Sequence, residues 1–239
     1  DAMAMFERLL AVSPNDPLAL HGKSRILSDQ GDTTNSLIFA RAAARAAPGH
    51  PGLRYALANL LVDTNDFPGA RRAFEAALQL QPQFFEAWNN LGLLLQDMDL
   101  PGEAEQAFRR ALQIRPAAPG ATNNLATLLL ARKRYGDAYV LLSGQEPLHP
   151  SANRTLWRRL ARHLAACNQT VPASHLYRKL CASSADDWLA RLNAALALPV
   201  IPASGEALAQ ARARYAAGLA SLRAALTPDA LAGSPRAEL

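Results

Sequence analysis

Pro14, Pro48, Pro82, Pro116 and Pro150 follow one another at intervals of 34 residues. A proline cannot continue a helix, and it biases the residue before it away from helical geometry. Five prolines in one phase therefore mark the ends of five equivalent elements. The residues between them keep the same period: Leu57, Leu91 and Leu125 in one register, Ala70, Ala104 and Ala138 in another, and Phe74, Phe108 and Leu142 in a third. A period of this length is one supersecondary unit whose apolar face is buried only against copies of itself.

The best-formed unit spans 85–118. It reads Trp88-x2-Leu91-Gly92-x2-Leu95, then Ala104-x3-Phe108-x2-Ala111 and Pro116. This pattern resembles the tetratricopeptide repeat (TPR), with Leu95 where the signature carries Tyr. The resemblance implies an all-α fold, a right-handed TPR superhelix (an α-solenoid of helix-turn-helix repeats) with C-terminal capping helices. Helix A and helix B of each unit approach closely over small residues such as Gly92 and Ala104. Trp88, Leu95 and Phe108 are expected between units, and the phased proline is expected to end helix B.

The expected organisation is the second half of a truncated repeat at 1–16, where Ala2, Phe6, Leu9 and Pro14 match, then four units at 17–50, 51–84, 85–118 and 119–152. The unit at 17–50 is degenerate, with Ser24, Ser36 and Ala40 at key positions, and SGQEP at 143–147 is expected to shorten the last helix B. Because 1–16 supplies a helix B without its helix A, the chain reads as a piece of a longer protein. Residues 153–199 read as diverged TPR-like helices, with the frame displaced by one: TLWRRLARHLAAC, then ASHLYRKLCA, then a helix from Asp186 stopped by Pro199. Residues 200–226 form an amphipathic capping or linker helix with Ser204 as N-cap and a stripe of Leu208, Tyr215, Leu219, Leu222 and Leu226, and 227–239 is a linker-like tail.

Composition excludes several classes. No apolar run approaches the roughly 20 residues that span a bilayer, and DAMAMFERLLA lacks the basic start of a signal peptide. The two cysteines, Cys167 and Cys181, form no CxxC pair, which excludes a disulfide framework. A cytoplasmic location is expected. No nucleotide-binding, hydrolase, zinc-protease or calcium-loop motif is present, so no catalytic residue, cofactor or metal is assigned. His163 and Cys167 share a helix face, but His175 and Cys181 on the next do not share one, which disfavours a metal site.

Charge is uneven. Residues 132–179 hold nine Lys/Arg against two Asp/Glu, in a chain of net charge +5. Arg154, Arg158 and Arg162 recur every four residues on one helical face. The face is open to three readings: a solvated surface, an interface to an acidic protein or peptide, or, least favoured, nucleic acid, since no aromatic residues are interleaved for base stacking.

Polar residues within helix A form the other candidate. Helix interiors disfavour asparagine, yet Asn89-Asn90 recurs as Asn123-Asn124 after 34 residues, with Tyr55 and Asn59 in the unit before. TPR arrays leave this side of helix A facing a concave groove. An amide both donates and accepts, so it can pair with a peptide backbone without reading side chains. Neighbouring helices lie roughly 8–10 Å apart and an extended chain advances about 3.3–3.6 Å per residue, so one rung meets roughly every third peptide residue. The alternative is local hydrogen bonding within the scaffold.

The paired asparagines resemble the ladder of O-linked N-acetylglucosamine transferases, which implies acceptor-polypeptide binding for Asn90 and Asn124, and for Asn89 and Asn123 beside them; Gly22 and Ala56 break the ladder upstream. A chaperone-type carboxylate clamp is excluded, because Tyr55, Gly120 and Asn124 stand where cations are needed. Residues 186–226, with LPVIP and then RARYAAGLASL, are similar to the segment that joins repeats to the catalytic region in bacterial SPINDLY-type glycosyltransferases. The resemblance implies a protein- or peptide-binding scaffold serving a larger glycosyltransferase, not itself an enzyme. The alternative is a stand-alone assembly scaffold that self-associates through its terminal helices.

Overall fold

A computed structural model describes residues 2–143, 150–183, 193 and 204–225, with side chains outside the description at 150–154, 181–183, 207 and 221–225. The helix expected from Asp186 to Pro199 (Asn193 apart) and the tail 227–239 lie outside the described residues. Everything regular among the described residues is α-helix. The fold is all-α, as the repeat pattern requires. The chain divides into two units, Asp1–Ala121 and Thr122–Leu239.

The first unit holds α1 (Ala2–Val12), α2 (Pro17–Asp29), α3 (Thr33–Ala46), α4 (Pro51–Asp63), α5 (Phe67–Leu80), α6 (Phe85–Asp97) and α7 (Pro101–Ile114). The division falls within α8 (Pro119–Ala131). Each helix of the first unit packs chiefly on the helix before it and the helix after it. The pairs α2–α3, α4–α5 and α6–α7 are the most extensive contacts.

Local chemistry sets these boundaries. Pro14, Pro48, Pro82 and Pro116 lie just beyond the last residue of α1, α3, α5 and α7, and Pro17, Pro51, Pro101 and Pro119 open helices at the first position, where the missing N–H is no loss. Asp16, Asp32 and Asp66 cap α2, α3 and α5 by accepting from the N–H of Ala19, Asn35 and Gly69. Between the two helices of a pair the chain turns through one left-handed residue: Gly31 (φ 83°), Asn65 (59°), Asp99 (56°). The residue after it then donates back across the turn, Asp32 to the Leu27 carbonyl at 2.9 Å, Asp66 to Leu61 at 2.8 Å and Leu100 to Leu95 at 2.8 Å. This closure satisfies carbonyls that the helix end leaves open.

The interior is alanine and leucine wedged by phenylalanine. Ala58, Ala70, Ala77 and Phe74 are fully buried, as are Ala87, Ala104, Ala111 and Phe108. A Cβ placed on Gly92 would lie 2.5 Å from the Phe108 ring. Phe108 therefore fills the α6–α7 hairpin itself, where the sequence reading had it between units. The degenerate positions of the first hairpin also find a role. Ser24 donates to the Ser36 carbonyl at 2.9 Å and Ser36 to the Ser24 carbonyl at 2.8 Å, and both side chains are buried.

The second unit holds α9 (Tyr135–Ser143), α10 (Pro150–Ala166), α11 (Thr170–Ser183) and α12 (Gly205–Ala225). Lys133 (φ 58°) and Asn168 (60°) are its left-handed turn residues, with Arg134 donating to Leu129 at 2.9 Å and Gln169 to Leu164 at 2.8 Å. The left-handed positions therefore recur after 34, 34, 34 and 35 residues. Leu160, Ala161 and Leu164 of α10 pack on Ala173, Leu176 and Leu180 of α11, all fully or almost fully buried. Pro150 is the first residue of α10, and 144–149 before it lie outside the described residues. Its ring presets φ for a first turn, so the same residue serves either end of a helix. On α12 Leu208 and Leu219 of the expected stripe are exposed and Tyr215 is half-buried, while Leu222 and Leu226 lie outside the described side chains.

A candidate peptide-binding face

The polar positions of α4 and α6 come together. Tyr55 and Asn59 are one turn apart on α4; Asn89 and Asn90 are adjacent on α6. The Asn90 amide nitrogen donates to the Tyr55 hydroxyl at 3.0 Å and to Asn59 Oδ1 at 3.1 Å. Its Oδ1 accepts from Asn89 Nδ2 at 3.3 Å. All four side chains are half-buried. The Tyr55 ring is held from behind by Phe84, at 5.0 Å between centroids, and by Phe74 at 6.0 Å.

An asparagine amide has two N–H donors, and Asn90 commits both of them. Tyr55 and Asn59 are each used as acceptors. The Tyr55 hydroxyl hydrogen and the Asn59 NH2 group have no partner among the described residues. The cluster is thus ordered within itself and holds spare donors. Sequence reasoning selected these four residues, yet the order among them, with Asn90 as the hub, depends on distances between two helices.

His21 on α2 stands 34 residues before Tyr55. Burial lowers its pKa from the ordinary 6.5, and the charges of Arg25 and His50 lower it further. In the second unit Asn123 and Asn124 are half-buried on α8, and the buried Asn123 Oδ1 has no hydrogen-bond partner among the described residues.

The basic face of α10 is partly described. Arg159 and Arg162 are exposed, Arg158 is half-buried, and the Arg154 side chain lies outside the described residues. The histidines considered for a metal meet tyrosines: His163 stacks on Tyr135, 4.7 Å between centroids and 11° from parallel, and His175 Nδ1 lies 3.1 Å from the Tyr139 hydroxyl. Among the described residues no three His, Cys, Asp or Glu side chains gather as a metal would need. Cys167 is exposed, and the Cys181 side chain is outside the description. Among the described residues no helix is long and apolar enough to cross a membrane.

Sequence reasoning passed over a cluster of arginines on α3 and α4. The signal was present: residues 33–62 contain Arg41, Arg45 and Arg54 and no Asp or Glu.

The tetratricopeptide-repeat family profile matches residues 1–51, 55–119 and 91–142, over half of the chain. The chain belongs to the tetratricopeptide repeat family. Solved TPR structures share its fold. The C-terminal part of a TPR repeat-containing protein from Cytophaga hutchinsonii matches with a TM-score of 0.64 at 16% identity, covering 97% of this chain and 92% of that one. YrrB, described as a TPR protein with an unusual peptide-binding site, matches with a TM-score of 0.59 at 18% identity, covering 77% and 95%. PilF of Pseudomonas aeruginosa matches with a TM-score of 0.56 at 18% identity, covering 87% and 90%.

Proposed function

We propose that this TPR chain is a binding module that holds an extended polypeptide against Tyr55, Asn59, Asn89 and Asn90. The observation that carries the proposal is the saturation of Asn90, which leaves the Tyr55 hydroxyl hydrogen and the Asn59 NH2 group without partners among the described residues. A peptide backbone presents carbonyl acceptors at about 3.3–3.6 Å per residue, and these two donors lie one helical turn apart on α4. The family favours the same class of ligand, as does YrrB's description as peptide-binding. For the second unit the proposal takes the position-matched pair Asn123 and Asn124, with Arg158 and Arg162 (and Arg154 by sequence) as a separate basic contact region. The repeat register we assign is 17–50, 51–84, 85–118 and 119–152, with 1–16 as a half-repeat and 153–199 and 200–226 as diverged and capping segments.

Peptides recovered against this chain from a random-sequence display library are the probe. Asn59→Ala and Asn90→Ala each weaken their binding by roughly five- to thirty-fold, the loss of one or two hydrogen bonds at a partly buried site, with helix content unchanged. Unaltered affinity in both variants sinks the proposal.

The wider reading is a cytoplasmic, non-catalytic recognition region of a larger SPINDLY-type glycosyltransferase. It rests on the resemblance over 186–226 and on that of the paired asparagines Asn89-Asn90 and Asn123-Asn124. A stop codon soon after Leu239 in the gene removes it. A second reading, self-assembly through the terminal helix, is favoured by the exposure of Leu208 and Leu219 on α12. Light scattering that finds a strict monomer at high concentration rejects that one.

A further inference from the structure

The same α4 helix that carries Tyr55 and Asn59 has a second surface. Residues on a helix turn by about 100° each, so Arg54 and Leu57 stand on the side away from Tyr55 and Asn59. With Arg41, Ala44 and Arg45 of α3 and Pro48 of the connection, they line an open depression of about 480 Å³. Ala44 is buried at its floor and Leu57 half-buried.

Arg54 is fixed. Its Nε and Nη2 both donate to the Pro48 carbonyl, at 3.0 and 2.9 Å. One repeat later Trp88 does the same task, donating from Nε1 to the Pro82 carbonyl at 2.9 Å. This anchoring of helix A to the preceding proline turn is therefore scaffold.

Arg41 and Arg45 have no such task. They are exposed, one turn apart on α3, and neither makes an ion pair or hydrogen bond among the described residues. The repeat does not require them either. The residues matched by the 34-residue period to Arg41, Arg45 and Arg54 are Glu7, Ala11 and Leu20 in one neighbouring cleft and Glu75, Gln79 and Trp88 in the other. Both neighbours place an acid where this cleft places Arg41. No Asp or Glu occurs from 33 to 62 to neutralise the three guanidinium groups, although residues 1–121 as a whole carry more Asp and Glu than Lys and Arg.

We propose that the α3–α4 cleft of Arg41, Arg45 and Arg54 is a docking site for an acidic peptide segment, rich in Glu or Asp, of a partner protein. Guanidinium forks match carboxylates two bonds at a time. The apolar floor of Ala44, Pro48 and Leu57 accepts the methylene stems of glutamate, which a bare phosphate ion lacks. The volume is far larger than one small anion fills. No aromatic ring lines the cleft, so it offers no platform for nucleic-acid bases. The proposal goes beyond the groove reading and does not depend on it, because the two surfaces occupy different sides of α4.

Fluorescent polyglutamate is the probe, with polyglutamine as the neutral control and fluorescence anisotropy as the readout at low salt. The wild-type chain binds polyglutamate more tightly than polyglutamine. Arg41→Gln/Arg45→Gln lowers the affinity about ten-fold, the loss of two exposed charge pairs, and the binding weakens as salt is added. Both side chains are exposed and unbonded, so the variant keeps its circular dichroism spectrum. Arg159→Gln/Arg162→Gln, on the basic face of the second unit, lowers the affinity less than Arg41→Gln/Arg45→Gln does. The preference for polyglutamate over polyglutamine survives Asn90→Ala, so a failure of the groove reading and a failure of this one are separable. Three results each overturn the proposal: equal affinity for Arg41→Gln/Arg45→Gln and wild type, loss of binding in Arg159→Gln/Arg162→Gln alone, or tighter binding of single-stranded polyuridylate than of polyglutamate.

Discussion

Replacing Gly92 by alanine adds one methyl group, and the structure fixes where it goes. The new Cβ lies 2.5, 2.6 and 2.9 Å from three carbons of the Phe108 ring. Non-bonded carbons settle at about 3.5–4.0 Å, so ring or helix must retreat by about 1 Å. The ring has no exposed surface. Overfilling a closed core costs about 1–3 kcal/mol. Against this, alanine is better than glycine in a helix interior by about 1 kcal/mol. The net expectation is a loss of about 0–2 kcal/mol, or up to about 8 °C in Tm for a chain of this size. Urea unfolding followed by far-ultraviolet circular dichroism measures it. The same substitution in a Phe108→Leu background meets no ring, keeps only the helix-propensity term, and stabilises by about 1 kcal/mol. Its sign reverses between the two backgrounds. Gly22→Ala is the control: its Cβ meets the Phe6 ring at 2.3 Å, but Phe6 is half-exposed and can swing aside, so the effect is small. A Gly92→Ala variant more stable than wild type in the Phe108 background refutes the reasoning.

Three further outcomes follow from local geometry. Ser36→Ala destabilises by about 1 kcal/mol because it leaves Ser24 with half of its buried pairing, whereas Ser24→Ala/Ser36→Ala together cost less than the sum of the single changes; equilibrium unfolding of all three decides. Lys133→Asn relieves a left-handed residue that lysine adopts poorly and raises stability by about 0.5–1 kcal/mol, measured by the same method; a loss of stability contradicts it. His21 holds its proton less firmly in the folded chain than in the unfolded one, so the unfolded state binds more protons once the pH falls below about 6.5. Stability therefore drops on acidification through that window, and His21→Gln flattens the drop; identical pH profiles for variant and wild type contradict the assignment.

The helical hairpin was legible because its constraints are one-dimensional. A proline marks one end or the other of a helix, and buried alanine and leucine recur at fixed spacing. Tyr55, Asn59, Asn89 and Asn90 were also visible as polar positions in helix A. What the spacing did not contain was their order. Asn90 is the hub because two donors of one amide reach a hydroxyl and a carbonyl oxygen on another helix, and that is a matter of a few tenths of an ångström. Ser24 and Ser36 were read as degenerate for a related reason: each looks wrong alone, and their reciprocal bonds exist only as a pair. Phe108 was misplaced because the pattern says that it is buried and not against what. The arginine cleft is less visible in the sequence because 132–179 is the denser basic stretch. The absence of acids from 33–62 leaves a smaller cluster equally unneutralised.

The first unit is held together by neighbours in sequence, each helix packing chiefly on the one before and the one after. Such a stack has no keystone. Its contacts are short in sequence, which favours rapid folding from any hairpin. Opening then proceeds one hairpin at a time. Amide hydrogen exchange should map this as a gradient, fastest in α1, whose Met5, Leu9 and Val12 are exposed, and slowest in α4 to α7. A ligand that bridges α4 and α6 grips the slow end of that gradient. Its affinity would thus be read in amides that it never touches.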